Sequence, residues 1–492
     1  MKRLILSIFL FCIFFLGYID LSAQWFGTGS QTDPYQISSL ADLNLLASNV
    51  NAGTSYYQTH FRLMRDIAGP VTQMIGDDVN YFEGGFDGQN FKITLAIVSN
   101  NINVGLFSQF SATIFDLVLD GSVTGGQNSQ NVGGLVGLPI AGSILRCINL
   151  AEVTSNGPTS SVGGIAGMAF AFGVFHECTN NGTITGGRYV AGIIGYNNTA
   201  VIDNCRNAGT IKSNSYKPHY MAGIVGKVYG SIIASVNIGS ILSSNSEYAG
   251  GIVAYSEGDI HEAHNSGVVD GAINSVGGIV GYAGSSAMVR DCINTNWIEG
   301  IASNSGAIAG LNNGFVSNCY YDEQVCVLPG IGAGGGNAIG LPTTSMLGIN
   351  LGSPFNNWNT HPQLYPRWDD HPISLLAAAP IYLQNLERLD DVSTSPFQVS
   401  NGTTPILLST YNFPYYWGRF INLPAGGWTH IPNSVMGYIN IPPTSDDAFI
   451  NPPYGVLRQD TLAVRLPQSN YITFYPLNYN VIFEKQIPIW VR

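Results

Sequence analysis

A six-residue motif returns seven times between Val132 and Gly310. It reads VGGLVG (132–137), VGGIAG (162–167), VAGIIG (190–195), MAGIVG (221–226), AGGIVA (249–254), VGGIVG (276–281) and SGAIAG (305–310). The spacing, roughly 27–31 residues, is that of one supersecondary unit stacked on itself. Most residues in such an array exist to let one unit sit on the next. The repeat therefore decides the fold before any residue is asked about chemistry.

Three apolar stretches recur in each period. The first carries Leu135, Ile165, Ile193, Ile224, Ile252, Ile279 and Ile308. The second carries Ile144, Phe175, Ile202, Ile232, Ile260, Val289 and Val316, followed by the small column Cys147, Cys178, Cys205, Ser235, Ala263, Cys292 and Cys319. The third carries Val123, Val153, Ile184, Ile211, Ile241, Val269 and Ile298. A buried residue between polar neighbours is period-2 patterning, so each stretch reads as a short strand. Three strands per period, separated by Gly, Asn and Ser turns, close one rung of a parallel β-helix, with like columns stacked at the strand spacing of about 4.8 Å. An all-helical repeat is the competing reading, disfavoured by the Gly and β-branched density inside every unit. The column Asn149, Asn180, Asn207, Asn237, Asn265 and Asn294 fits an amide ladder bonding rung to rung.

The fold expected is all-β: a capped right-handed parallel β-helix of about nine rungs followed by a C-terminal Ig-like β-sandwich. Residues 1–23 have the basic start, short apolar run and small-residue exit of a secretory signal peptide. The N-terminal cap covers 24–60, where Ser39 and Asp42 have capping-box spacing ahead of Leu40, Leu43, Leu45, Leu46 and Val50. The β-helix covers 61–326, a loop (329–336) and C-terminal cap fill 327–373, and a Pro-, Tyr- and Trp-rich sandwich fills 374–492. No other stretch approaches the ~20 apolar residues of a membrane span. The chain is acidic, with a formal charge of −12, which argues against nucleic acid as a partner.

The segments GTGSQTDPYQISSLADLNLLASNVN (27–51), GGFDGQNFKIT (84–94), the GGLVG-like units, NCYYDEQVC (318–326) and GLPTTSM (340–346) resemble GLUG-motif proteins. That resemblance covers roughly residues 25–372. It implies a secreted or surface-attached bacterial protein with a right-handed β-helix, and it implies no reaction and no catalytic residues.

Candidate chemistry is sparse. His176, Glu177, Asp203, His261, Glu262, Arg290 and Asp291 form the titratable cluster on the outward face of the second strand. Their expected role is a solvated face, with carbohydrate cleavage by paired carboxylates as the competing one. HEAH (261–264) is no zinc site in a strand, where a three-residue offset sends the two histidines to opposite faces. Asp77-Asp78 and Asp369-Asp370-His371 are loop carboxylates able to hold Ca²⁺ but lack the spaced ligands of a dedicated calcium loop. No metal or cofactor is expected. Thr124, Thr154 and Thr185 begin an outward rank that continues as Lys212, Leu242, Asp270 and Glu299, too broken for an ice-binding face. Cys319 and Cys326, which bracket the last rung, are the favoured disulfide pair in an exported chain. Tyr415, Tyr416, Trp417 and Trp428 crowd one part of the C-terminal domain, as core or as a ligand-binding cluster.

The functional expectation is an exported, non-catalytic protein acting in adhesion or extracellular structure, meeting a cell-surface glycan or protein. The alternatives are a polysaccharide-active β-helix enzyme, and a subunit of an extracellular filament or larger assembly.

Overall fold

The structure is a computed structural model, and it describes residues 25–346, except 171–172, 215–217, 244 and 299–301, together with six short strands beyond 385. Residues 35–341 form a parallel β-solenoid of about ten turns. Three parallel sheets build it, two over nearly its whole length and the third from Asn103–Val104 to Asn304–Gly306. Equivalent residues of successive turns pair in register, as in Ile144, Phe175, Ile202, Ile232, Ile260, Val289 and Val316. Each of those side chains is buried, and so are the first and third columns named above, so the ladders make one continuous apolar core. Phe61, Phe82, Phe86, Phe107 and Phe110 fill the first turns with rings in mutual contact. Ile and Val take over beyond them.

The coil is longer than the repeat implies because it starts and stops outside the motif. Tyr35–Ile37, inside the expected cap, already pairs in parallel with His60–Leu63. At the other end Ile331–Gly334 pairs with Ala309–Asn312, and Ala338–Leu341 with Cys319–Asp322. The glycines at 329–336 were expected to form a loop. Small residues also permit close strand stacking, and that use prevails here.

Each turn also holds more strands than three. In one turn Tyr189–Ala191, Ile194–Asn197, Val201–Asp203, Arg206–Asn207 and Ile211–Ser213 are separate segments shared among the three sheets. The motif itself is a corner: its first half lies in one sheet and its second half in the next. The second glycine of the motif (Gly134, Gly164, Gly192, Gly223, Gly251, Gly278) faces the Asn column across the coil. A Cβ there would strike the side-chain amide of Asn149, Asn180, Asn207, Asn237, Asn265 or Asn294 respectively. In the last copy that position is Ala307, on the turn where Tyr321 follows Asn294 in the column and the constraint is gone.

The Asn column is the amide ladder expected. Each Nδ2 from Asn149 to Asn265 donates to the Oδ1 of the next turn at 2.8 Å, and all six side chains are fully buried. Each Nδ2 also donates to the carbonyl two residues on, which closes the local turn. No polar group in the column is left unsatisfied, so its burial stabilises rather than costs.

Helix α1 (Leu40–Asn51) covers the first turn. Ser39 accepts from the Asp42 N–H at 3.2 Å, and Asp42 accepts from the Ser38 N–H at 2.9 Å. The first bond is the N-cap that the sequence spacing predicts, while the return bond from Asp42 goes to the residue before the cap. Leu43, Leu46, Ala47 and Val50 are buried beneath the helix, which shields an edge that would otherwise recruit another strand. Among the described residues no helix is long and apolar enough to cross a membrane. Beyond 385, Leu386–Arg388, Arg419–Asn422 and Thr429–His430 pair antiparallel, as do Thr461–Arg465, Tyr471–Pro476 and Lys485–Pro488. The sandwich expected over 374–492 otherwise lies outside the described residues, as do the signal segment, Asp369-Asp370-His371 and the cluster Tyr415, Tyr416, Trp417 and Trp428.

Candidate functional site

The titratable residues singled out in the sequence fall into two adjacent columns. His176, Asp203, His261 and Arg290 are in register on the second strand, with Ile233 between Asp203 and His261. Glu177, Glu262 and Asp291 sit one residue on, at a corner that Asp116, Arg146, Asn204, Ala234 and Asn318 occupy in other turns. All eight of these corner residues have φ between 48° and 59°. A left-handed non-glycine residue is normally disfavoured, and Asn and Asp tolerate it best. The corner thus explains part of this column's polar character without any chemistry.

Ion pairs run both between neighbouring turns and between adjacent residues of one turn. His176 Nδ1 lies 2.9 Å from Asp203 and its Nε2 lies 3.3 Å from Glu177. Arg290 reaches Asp259 at 3.3 Å and Asp291 at 3.2 Å, while Arg146 binds Asp116 with two nitrogens. His261 is 3.6 Å from Glu262, and neither Asp259 Oδ1 nor His261 Nδ1 has a hydrogen-bond partner among the described residues. The two histidines stand three turns apart, roughly 14 Å by strand spacing.

HEAH does not converge. Glu262 turns the corner, His261 stays on the outer column, and His264 is buried with Nε2 2.9 Å from the Thr295 hydroxyl. Asp77 accepts the N–H groups of Val79 and Asn80, and Asp78 those of Ile102 and Asn103, so both carboxylates cap loops. Among the described residues no group of three His, Cys, Asp or Glu is placed to hold a metal. Cys319 and Cys326 are buried free thiols, without the bridge considered above, and the rest of the cysteine column is likewise buried. Burial pushes the Cys326 thiol up to about 11 and raises Cys147, Cys205 and Cys292 well above the usual thiol range.

Other outward columns carry the densest aromatic grouping of the solenoid's outer surface among the described residues. Tyr189, Tyr220 and Tyr248 are in register on successive turns, with rings stacked 5.0 and 5.5 Å apart at interplanar angles of 8° and 10°. The neighbouring column in the next sheet reads Tyr196, Lys227, Tyr255, Tyr282. There Tyr255 and Tyr282 stack at 4.8 Å. The two columns meet edge to face, as in Tyr220 with Tyr255 and Tyr189 with Tyr196. The bend at Gly192–Ile193 and its equivalents brings them together. Lys227, standing where adjacent turns have tyrosine, places its ammonium 4.5 Å from the Tyr255 ring centre, 5.1 Å from Tyr229 and 5.9 Å from Tyr220. Arg188 lies over Tyr189 at 5.0 Å. These contacts are cation–π pairs.

The tyrosines are half-buried apart from the more exposed Tyr229. Desolvation pushes the Tyr220 phenol up to about 12 and also raises Tyr196, Tyr248 and Tyr255. Every phenol of this group with a resolved shift therefore remains an O–H donor at neutral pH. This face was not singled out from the sequence, although a signal was present. Tyr189, Tyr220 and Tyr248 immediately precede the repeated motif, and Tyr196, Tyr255 and Tyr282 immediately follow it.

No family model matches the chain, and no curated protein does. Among solved structures, a Bacteroides ovatus chain provisionally described as an immunoglobulin A1 protease is similar at 19% identity with a TM-score of 0.37. The match covers 57% of this chain and 79% of that one.

Proposed function

We propose that this is an exported, non-catalytic surface protein of the GLUG-repeat kind, whose β-solenoid is a rigid rod that adheres through its tyrosine-lined side. The observation that carries this reading is the four-turn grouping of seven tyrosines with Lys227 and Arg188. A stacked coil holds outward columns in fixed register while its core is built elsewhere in each turn, so a broad surface can be displayed without altering the fold. The apolar, basic-led segment at 1–23 supports export. Several outward His and carboxylate residues, His176, Asp203, Asp259 and Asp291 among them, tie one turn to the next, which supports a structural role.

A polysaccharide lyase or hydrolase is the second reading, favoured by Asp259 and His261 beside Arg290, since Asp259 Oδ1 and His261 Nδ1 lack hydrogen-bond partners among the described residues. Native-gel retardation of the chain from Gln24 through embedded polysaccharides, with each lane stained for cleavage, separates the two. Retardation without clearing, weakened in a Tyr220→Ala/Tyr255→Ala variant and retained in Asp203→Asn, is expected. Clearing overturns the non-catalytic reading, and retardation indifferent to the tyrosine variant moves the contact surface off this face.

A further inference from the structure

We infer that the tyrosine face takes a carboxylated polysaccharide laid along the solenoid axis, with Lys227 as the residue that selects for its charge. This rests on the reading that the face is a contact surface. It adds the chemistry of what is contacted.

What can bind depends on which parts of the rings remain free. Tyr189, Tyr220 and Tyr248 stack on one another, and Tyr255 stacks on Tyr282. Ring faces that an incoming sugar would cover are thus already used, and the face offers ring edges and hydroxyls. The hydroxyls of Tyr255 and Tyr282 are engaged by Glu257 and Asn313, each at 2.8 Å. Those of Tyr189, Tyr196, Tyr220 and Tyr229 have no hydrogen-bond partner among the described residues, and none is a buried orphan. They are open donors and acceptors of the kind that a polyhydroxylated chain satisfies.

Charge narrows the ligand further. Lys227 makes no ion pair among the described residues. The nearby carboxylates are otherwise engaged: Glu247 with His219 at 3.0 Å, and Glu257 with the Tyr255 hydroxyl and the Ser286 N–H. A cation held over three rings, without a counter-ion, in a chain of net charge −12 is a specific place for one anion. Arg188, exposed one turn earlier, provides a second such place. Two isolated cations suit a polymer with spaced carboxylates, whereas a nucleic acid needs a dense basic surface that an acidic rod does not offer.

The face is also periodic. From Tyr189 to Tyr282 the face advances by three turns, roughly 14 Å at the strand spacing. A ligand that repeats along its own length can meet equivalent groups on successive turns, and a linear polysaccharide does so.

The test uses the full chain from Gln24 in affinity electrophoresis against polygalacturonate, its methyl-esterified form and a neutral glucan. Esterification keeps the sugar backbone and removes the charge. Polygalacturonate is expected to retard the wild type about tenfold more strongly than the ester, the size of one charge-assisted bond, and added salt is expected to narrow the gap. Lys227→Met keeps the aliphatic stem over the rings and is expected to lose that advantage. Tyr220→Phe/Tyr229→Phe keeps the stacking and is expected to weaken retardation by both forms. If the ester and the acid retard equally, or Lys227→Met behaves as wild type, the charge inference falls while the contact surface stands, provided the Phe variant still weakens binding. If neither variant alters retardation, both readings fall.

Discussion

Replacing Asn237 by Ala removes four hydrogen bonds at once from the middle of the amide ladder. Asn207 Nδ2 donates to Asn237 Oδ1 and Asn237 Nδ2 to Asn265 Oδ1, both at 2.8 Å. Within the turn, Asn237 Nδ2 donates to the Gly239 carbonyl and Gly239 N–H to Asn237 Oδ1, both at 3.2 Å. At a net value of about 1 kcal/mol each, the four amount to about 4 kcal/mol. The orphaning penalty is limited, because Asn207 Nδ2 keeps the Gly209 carbonyl and Asn265 Oδ1 keeps the Gly267 N–H. A loss of about 3–5 kcal/mol is therefore expected in guanidinium unfolding. In a stacked array the damage is local, so amide exchange should accelerate in the turns containing Asn207, Asn237 and Asn265 and not in those near Phe86. Thr185→Ala, on the outward rank, is the control and should stay within about 0.5 kcal/mol of wild type. Asn237→Asp sharpens the experiment. Its buried carboxyl has a raised pKa in the folded state. Below pH about 4 it is protonated in both states and can still donate, and stability is lost as pH rises above that point. A loss under about 1 kcal/mol for Asn237→Ala, or an Asp variant without that pH dependence, would refute the claim that the ladder ties the turns together.

Gly223→Ala should be among the most damaging single substitutions, costing about 3 kcal/mol or more in a melt, because its Cβ meets the Asn237 amide and the Gly251 carbonyl. By the same logic Ala307→Gly should cost about 1 kcal/mol or less. Ser39→Ala removes the α1 cap and is expected to cost about 1 kcal/mol, with dye binding at the uncovered first turn as the readout. For Cys326, burial raises the thiol from 9.0 to about 11. Its contribution is intact below pH about 9 and is lost between about 9 and 11 as the unfolded thiol ionises first, a fall on the order of 2 kcal/mol measurable as urea midpoint against pH. Asp203→Asn, which breaks a half-exposed pair with His176, should cost under about 1 kcal/mol by the same unfolding assay.

The columns of Ile and Val, the small residues of the cysteine column and the Asn ladder were legible because a stacked repeat forces every turn to solve the same packing problem with similar residues. The helix over the first turn was legible too, since Ser39 and Asp42 are local partners. Neither end of the coil was readable in this way. Tyr35–Ile37 and Ile331–Gly334 join the sheets through pairing with distant strands, and no local pattern distinguishes them from the surrounding loops. The corner residues at Glu177, Glu262 and Asp291 were expected on the face of a strand, because a turn that uses Asn, Asp, Glu, Arg and Ala in one position carries no glycine signal.

By itself the sequence determined that this chain is a parallel coil, and which residues line its inside, since period and polarity fix which side of each strand is buried. Only the tertiary structure decided what the outside presents. Tyr189 and Tyr196 are seven residues apart, and Tyr220 and Tyr255 are thirty-five apart. They meet because each turn bends at a glycine and the next lands one strand spacing above it. The contacts that make a surface run across turns, and closure of the coil sets them.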